Sequence, residues 1–421
     1  MRQSILPSFV RKDFPKDEEA YNAQILIRAG FIDKTMAGVY SYLPLGLRVL
    51  RRIEDIVRSR MNEFGAQEIM MPVLHPKELW QKTGRWDALD VLFKVIARDK
   101  KEYALGPTHE EVVSPLAHKA IFSYKDLPFA LYQIQTKLRD EPRAKSGLLR
   151  GREFLMKDLY SFHADEKDLE AYYQKAIEVY RKIFSDIGLS AVLVEASGGT
   201  FSKYSHEFQV FIDAGEDTIV YCPQCSFAQN NEINSAQEKD ACPSCKGPLT
   251  LKKGAEVGNI FPLKQKYSEP FEVSYKNAQG ESQTVMMGCY GIGISRLMGV
   301  AAEIFHDDKG LRWPAAIAPF HAHLIVLTGN NKDEAAKVVE KADRLYDHLT
   351  KEGIDVLYDD RLEMSAGEKF VEADLVGIPV RLVISAKTGD AVEMKYRADD
   401  QATLVDFDAV AGYCKNVQSK Q

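Results

Sequence analysis

The sequence predicts a multidomain α/β protein: an α+β unit built on an antiparallel sheet, a small zinc-ribbon-like insertion, and a C-terminal α/β unit with a mixed sheet. Three observations predict it. From Leu138 to His163 two apolar segments flank a loop containing Gly and Lys, which reads as an antiparallel pair of strands. Between Asp213 and Gly258 large aliphatic residues thin out and two CxxC pairs appear. Beyond Pro319 strand and helix patterns alternate to the end of the chain, the mark of an α/β domain. The expected boundaries are 1–212 and 259–318 for the first unit, 213–258 for the insertion, and 319–421 for the last.

In chain order, Leu50, Ile53, Val57, Met61 and Phe64 recur at steps of three and four and predict an amphipathic helix over Leu47 to Phe64, ended by Gly65. Gln67 to Met71 reads as a strand stopped at Pro72, and Glu102 to Leu105 as a short strand before the turn GPTHEE and a helix from Glu110. After the hairpin, Leu169 to Ile187 is helical and closes at Gly188; Leu189 to Val194 and the segment from Ser205 read as strands. VMMGCYGIGISR is strand-like and leads into a helix with Leu297, Val300, Ala301 and Ile304 on one face. Pro314 to Pro319 reads as a linker. The last domain should contain the strands HLIVLT, IDVLY, PVRLVIS and VEMKYR and helices over Lys332 to Lys351 and through Phe370 and Leu375.

The 421 residues suit two or three domains, and 45% hydrophobic residues suffice for buried cores. A net charge of -6 excludes a general polyanion-binding surface, so any nucleic-acid contact must be local. The N-terminal segment lacks the apolar core of a signal peptide and carries acids that disfavour a presequence, and no apolar run is long enough to span a bilayer; a cytoplasmic protein is expected. Four of the six cysteines form CPQC and CPSC, with sixteen residues between the pairs. Cys222, Cys225, Cys242 and Cys245 at this spacing can surround one tetrahedral Zn2+, and four protein ligands leave no open position, so the metal would be structural.

The hairpin carries Arg139, Glu141, Arg150, Arg152 and Phe154. Strand alternation would place guanidinium groups and a ring over one face, an arrangement that suits phosphates and a base; taken alone, the hairpin reads rather as a charged, solvated surface element. Arg48, Arg51 and Arg52 interleave with Glu54 and Asp55 and read as a solvated helix face.

Together these segments closely resemble the class II aminoacyl-tRNA synthetases, specifically the bacterial-type prolyl-tRNA synthetases. The helix, Gly65, strand and Pro72 match the first class motif. Arg139, Glu141, Arg150, Phe154 and Asp158 match the second, and Gly291, Gly293 and Arg296 the third, with Ser295 where many class II members carry Glu. The resemblance implies a class II synthetase fold, a homodimer, and a two-step reaction in which proline and ATP with Mg2+ give prolyl-adenylate and pyrophosphate, and the prolyl group then passes to tRNA(Pro) with release of AMP. Arg139 would grip the α-phosphate and the amino-acid carboxylate. Arg150 and Arg296 would reach the terminal phosphate, Glu141 the adenine amino group and Phe154 the adenine face, with Gly293 part of the ATP site. No protein nucleophile is needed, because offsetting the repulsion between two anions carries the reaction.

For proline the resemblance implies Thr108 and Glu110 as acceptors for the ammonium, and Met156, Asp158 and Tyr160 as pocket wall, Met156 reading equally as core packing. His206 and Glu207 are pocket groups or an internally bonded pair, and Cys289 lines the pocket without a catalytic thiol. The last domain resembles an anticodon-binding module in which Arg361, Lys369, Glu393 and Lys395 are candidates, each reading equally as solvated surface. Only 125 residues separate Phe162 from Gly288, too few for the large editing domain of many bacterial relatives, so hydrolysis of mischarged alanine in cis is not expected. A relative charging threonine or serine and a non-catalytic paralogue are the alternatives; the intact arginines weigh against the second.

Overall fold

A computed structural model describes residues 1–199, 201–202, 204–329 and 331–419. Its centre is a nine-stranded sheet. The antiparallel pair Phe129–Leu138 and Glu153–His163 lies beside Met286–Gly293, which pairs in turn with the long strand Thr250–Lys264. Past this point the sheet curls: Tyr204–Phe211, Val192–Ser197, Ala228–Asn230 and Asp217–Tyr221 lead back to Thr250–Lys264. On the opposite edge lies Gln67–Glu68, only two residues long and parallel to Phe129–Leu138.

One face of this sheet is covered by three helices, Pro44–Glu63, Glu166–Ile187 and Ile294–Ile304. The first presents Val49, Ile53, Val57 and Met61 to the core at the expected spacing, and the second meets Phe208 with Tyr180 and Phe184. Full burial of each such side chain contributes about 1.5–3 kcal/mol, so the helices hold this face shut and leave the other for chemistry. The second helix ends at Gly188, whose φ of 91° suits a residue without a Cβ.

Several expectations need correction. Arg139, Glu141, Arg150 and Arg152 lie in the loop between the two long strands, not on the strands, so the loop's own bonds aim them. The strand Thr250–Lys264 runs unbroken from the cysteine module into the central sheet, which puts the expected boundary at 258 inside a strand. Residues 314–319 are packed, with Ile317 and Ala318 fully buried, and do not form a loose linker. The solvated-face reading fails for Arg48 and Arg52. Arg48 donates to the Pro319 carbonyl at 2.7 Å, and both guanidinium groups meet Asp355, at 3.0 and 2.7 Å, tying the first helix to the C-terminal domain.

That domain has a five-stranded mixed sheet, Val356–Asp359 and Val380–Ser385 both parallel to the central Ala322–Leu327, then Val392–Tyr396 and Thr403–Val405 antiparallel. The last strand and a helix from Val410 to Ser419 were not legible in the sequence. Two of the four anticodon candidates are spent inside the domain. Lys369 is 1% exposed and donates to the Val326 carbonyl at 2.9 Å with Asp359 3.5 Å away. Arg361 is held by Asp359 at 2.8 Å and Glu372 at 3.1 Å. Glu393 and Lys395 stay half-exposed on the Val392–Tyr396 strand. Among the described residues no helix is long and apolar enough to cross a membrane.

Truncating one member of a buried ion pair strands its partner. Lys369→Ala should therefore destabilise the C-terminal domain by about 3–5 kcal/mol in urea denaturation, whereas an exposed base-reading lysine would leave stability unchanged.

Candidate active site

The open face of the sheet carries two connected clusters of polar side chains. The first gathers at the GPTHEE turn, where Thr108 donates to the Glu110 carboxylate and the Cys289 thiol reaches the same carboxylate at 3.2 Å. All three residues are buried. Behind them Arg85 lies 3.6 Å from Glu110 and 2.9 Å from Glu111, with its guanidinium between the rings of Trp80, Phe201 and Tyr267. Burial pushes the Glu111 carboxyl up to about 7 against the pull of Arg85. Burial, then the neighbouring Glu110, pushes the Cys289 thiol well above its ordinary value, so it stays protonated and is no nucleophile.

The floor of this cluster is Asp158, which accepts from Gln133 and Tyr160, each at 3.0 Å, and pairs with Lys137 at 2.7 Å. Tyr160 in turn accepts the His109 backbone N–H at 2.9 Å. Burial alone would raise the Asp158 carboxyl; the Lys137 ammonium, with the hydrogen bond from Gln133, outweighs it and holds it below the usual carboxylate range. Strand alternation works here as expected: Lys157 points to the helix face, where the Tyr180 hydroxyl and the Tyr290 carbonyl receive its ammonium. Met156 sits opposite Gly293, and its sulfur borders Gly291.

The second cluster surrounds a cavity of about 230 Å³ whose lining includes Arg139, Glu141, Arg150, Glu216, Asp217, Glu256 and Arg296. Arg139 stacks over Phe154 at 5.1 Å. Arg150 is gripped by Glu141 at 2.8 Å and Glu216 at 3.1 Å, and Arg296 donates to the Glu256 carbonyl at 2.6 Å with the Glu256 carboxylate 3.5 Å away. Burial, then the Arg296 charge, lowers the Arg139 guanidinium. Cations that repel one another in a polar cavity are a receptor for anions. Two carboxylates in the same cavity, Asp217 and Glu256, are oxygen donors of the kind a phosphate-bound Mg2+ takes.

Close backbone approach shapes this end. A Cβ on Gly291 would come within 2.7 Å of the Asn259 side-chain oxygen, and the Asn259 amide donates to Glu256 at 2.6 Å, so the glycine leaves room for the group that orients the carboxylate. Gly293 abuts the Arg296 side chain. Arg152, without a role in the sequence, donates to the Glu141 carbonyl at 2.9 Å and to the Ala37 carbonyl at 3.4 Å, bracing the loop.

One site assignment is corrected. His206 lies on the helix face, its Nδ1 2.8 Å from the Tyr173 hydroxyl, on the far side of the sheet from Thr108 and Glu110. Its neighbour Glu207 faces the cavity side, where Gln209 donates to it and to Asp217 at 2.9 and 2.7 Å. Burial and then Glu256 push the Glu207 carboxyl up to about 8. Sequence reasoning missed Arg85, Gln133, Lys137, Glu216, Asp217 and Glu256. Only Lys137 carried a cue, a lone lysine two residues before Arg139 in an apolar strand.

Beyond the second cluster, the four cysteines of the module converge, with all four sulfurs within 4.8 Å of one another. Cys222 and Cys245 are 3.4 Å apart and Cys225 and Cys242 3.7 Å, close to the edge of about 3.8 Å expected for a tetrahedron of thiolates around zinc.

Residues 93–305 match the tRNA synthetase class II core domain (G, H, P, S and T), and residues 317–417 an anticodon binding domain. Relatives named "Proline--tRNA ligase" include those of Persephonella marina, 35% identical with 96% of this chain and 97% of the relative covered, and Aquifex aeolicus, 32% identical with 99% of each covered. Among solved structures, the prolyl-tRNA synthetase of Giardia lamblia in complex with prolyl-adenylate has the same fold, with a TM-score of 0.80 at 21% identity over 95% of this chain and 79% of that one. The chain belongs to the proline–tRNA ligase family of class II tRNA synthetases.

Proposed function

We propose that the protein ligates proline to tRNA(Pro) in two steps, forming prolyl-adenylate from proline and ATP and then passing the prolyl group to the terminal ribose of the tRNA. The observation that carries this reading is the juxtaposition of the Thr108–Glu110 acceptor pair with the Arg139, Arg150 and Arg296 cavity in a chain whose near-full-length relatives are proline–tRNA ligases. The bound amino acid's ammonium would sit at Thr108 and Glu110, against the wall formed by Met156, Asp158, Tyr160 and Cys289. Arg139 would span the carboxylate and the α-phosphate, Arg150 and Arg296 would take the outer phosphates, and Phe154 would stack on adenine. Mg2+ would offset phosphate charge beside Glu256. As the carboxylate oxygen attacks phosphorus, charge accumulating on the phosphate is stabilised by cations already in place, so little reorganisation is needed at the moment of reaction.

The protein works as a homodimer, which is consistent with Met70, 84% exposed beside the two-residue edge strand of the sheet. Its place is the cytoplasm. Glu393 and Lys395 are the candidates left for reading the anticodon. Editing in cis is absent. In support, the alignment to the Persephonella marina relative runs to 554 positions against the 421 residues here, so the relative holds a large stretch without counterpart in this chain.

Pyrophosphate exchange into ATP should depend on proline and not on threonine or serine. Arg139→Ala should lower it by about 10³-fold or more, since a cation aimed at the transition state is lost; the purified enzyme should leave alanyl-tRNA(Pro) intact. Unchanged exchange by the variant would remove Arg139 from the mechanism.

The four cysteines would hold one Zn2+ with a structural role, cross-linking a module whose own apolar cluster is small, chiefly Val220, Cys222, Cys242 and Leu249. Elemental analysis of protein purified without chelator should find one zinc per chain, and stripping it should lower the Tm; protein free of zinc and equally stable would refute the assignment.

A further inference from the structure

We propose that His109 is a positioning residue for proline, its imidazole strung between the Lys137 ammonium and the Pro72 carbonyl so that Thr108 and Glu110 are held at the substrate's ammonium. The inference rests on the proline reading above and concerns a residue that itself touches neither substrate.

The loop from Gly106 to His109 has few backbone ties of its own. Gly106 donates to the Val73 carbonyl at 2.8 Å and accepts from Leu138 at 3.3 Å, and the helix that follows begins at Glu110 without a side-chain cap. The loop's position therefore depends on side chains. The His109 ring is fully buried, with Nδ1 2.7 Å from Lys137 Nζ and Nε2 3.1 Å from the Pro72 carbonyl oxygen. An ammonium can only donate, so Nδ1 is the acceptor and the single ring proton is on Nε2, aimed at Pro72. A second imidazole, that of His75, reaches the same carbonyl at 2.9 Å and meets the His109 ring edge-on.

Lys137 makes this a joint and not a local contact. Its ammonium also pairs with Asp158 at 2.7 Å, and it lies on the strand two residues before Arg139. One buried ammonium thus references the ammonium-binding loop, the pocket floor and the arginine between the two substrates to each other. Without the ring nitrogens, Lys137 keeps Asp158 and Pro72 keeps His75, while the loop loses both bonds of the ring and is left with the Tyr160 hydroxyl on its His109 amide. The damage should fall on proline and spare ATP, whose cavity is braced separately by Glu141, Glu216 and Glu256.

In pyrophosphate exchange, His109→Phe, which keeps a ring and removes both nitrogens, should raise the KM for proline about tenfold or more and move the KM for ATP less than about twofold. His109→Gln presents an acceptor and a donor from one planar group and should return the proline KM to within about threefold of wild type. A wild-type proline KM in His109→Phe, equal impairment of the Phe and Gln variants, or a parallel rise in both KM values would overturn the proposal. Should His109→Phe fail to fold by circular dichroism, His109→Asn, which can keep one of the two bonds, should raise the proline KM more than His109→Gln does; wild-type kinetics there would equally overturn the proposal. Wild-type protein showing no proline-dependent exchange would take down the underlying reading and this inference with it, whereas an active wild type with unaltered variants takes down the inference alone.

Discussion

The ion pair between Lys137 and Asp158 is the contact on which the rest of the site depends. It joins adjacent strands at 2.7 Å with both side chains out of water. Such a pair contributes little net stability against an apolar pair of the same volume, because desolvating two charges costs several kcal/mol per ion. What it supplies is direction. Asp158 can remain a carboxylate only while Lys137, Gln133 and Tyr160 surround it, and Lys137 can remain an ammonium only while Asp158 is there. Each fixes the other's rotamer, and through Gln133, Tyr160 and His109 that geometry spreads to the first-motif segment, to the amide of the loop from Gly106 to His109 and to its imidazole.

A second constraint follows from collecting arginines. Three guanidinium groups around one cavity repel, and the structure manages the repulsion unevenly. Arg150 has two carboxylate partners and Arg296 a carbonyl with a more distant carboxylate, while Arg139 has the face of Phe154. Among the described residues no carboxylate hydrogen bond is made by Arg139. The cation left least compensated is the one between the two polar clusters, the position the proposed reaction needs for a cation shared by two anions. Two of the carboxylates that restrain the outer arginines flank the cysteine module, Glu216 just before the strand that enters it and Glu256 on the strand that leaves it. The module thus borders the arginine-lined cavity with one end, and its four cysteines gather at the other.

Much of this was legible in the sequence where one periodicity or one rigid spacing decides the outcome. The first helix, the hairpin strands, the strand-helix alternation of the last domain and the two cysteine pairs follow from local pattern. The site's arginines were legible as a motif, but their placement on strands was not correct, since a fourteen-residue stretch between Leu138 and Glu153 supplies its own turns and bonds. Failures cluster where a side chain's fate depends on distant partners. Lys369 reads as a free cation until Asp359 and the Val326 carbonyl come round it, and Arg48 and Arg52 read as solvated until Asp355 arrives from three hundred residues away. The face of His206 was open in the sequence: strand alternation gives two faces, and only the packing of Tyr173 says which one the helices cover.

The same long-range partners fix how the two large domains meet. Besides Arg48 and Arg52, Arg2 pairs with Asp343 and Asp360 while lying over the rings of Tyr346 and Tyr358, Gln3 donates to Glu372, and Arg397 takes both oxygens of Asp307 at 2.6 and 2.7 Å. Individual exposed pairs are worth little, but a set with bidentate and stacked members, continuous with buried Trp313, Ile317 and Phe320, resists hinge motion as a unit. A substrate that reaches both domains must then bridge a nearly fixed span. Charges used in that seam, Arg361 among them through Glu372, are withdrawn from recognition. Glu393 and Lys395 stay half-exposed, alternating with the buried Val392 and Met394 on the strand that Arg397 follows into the seam.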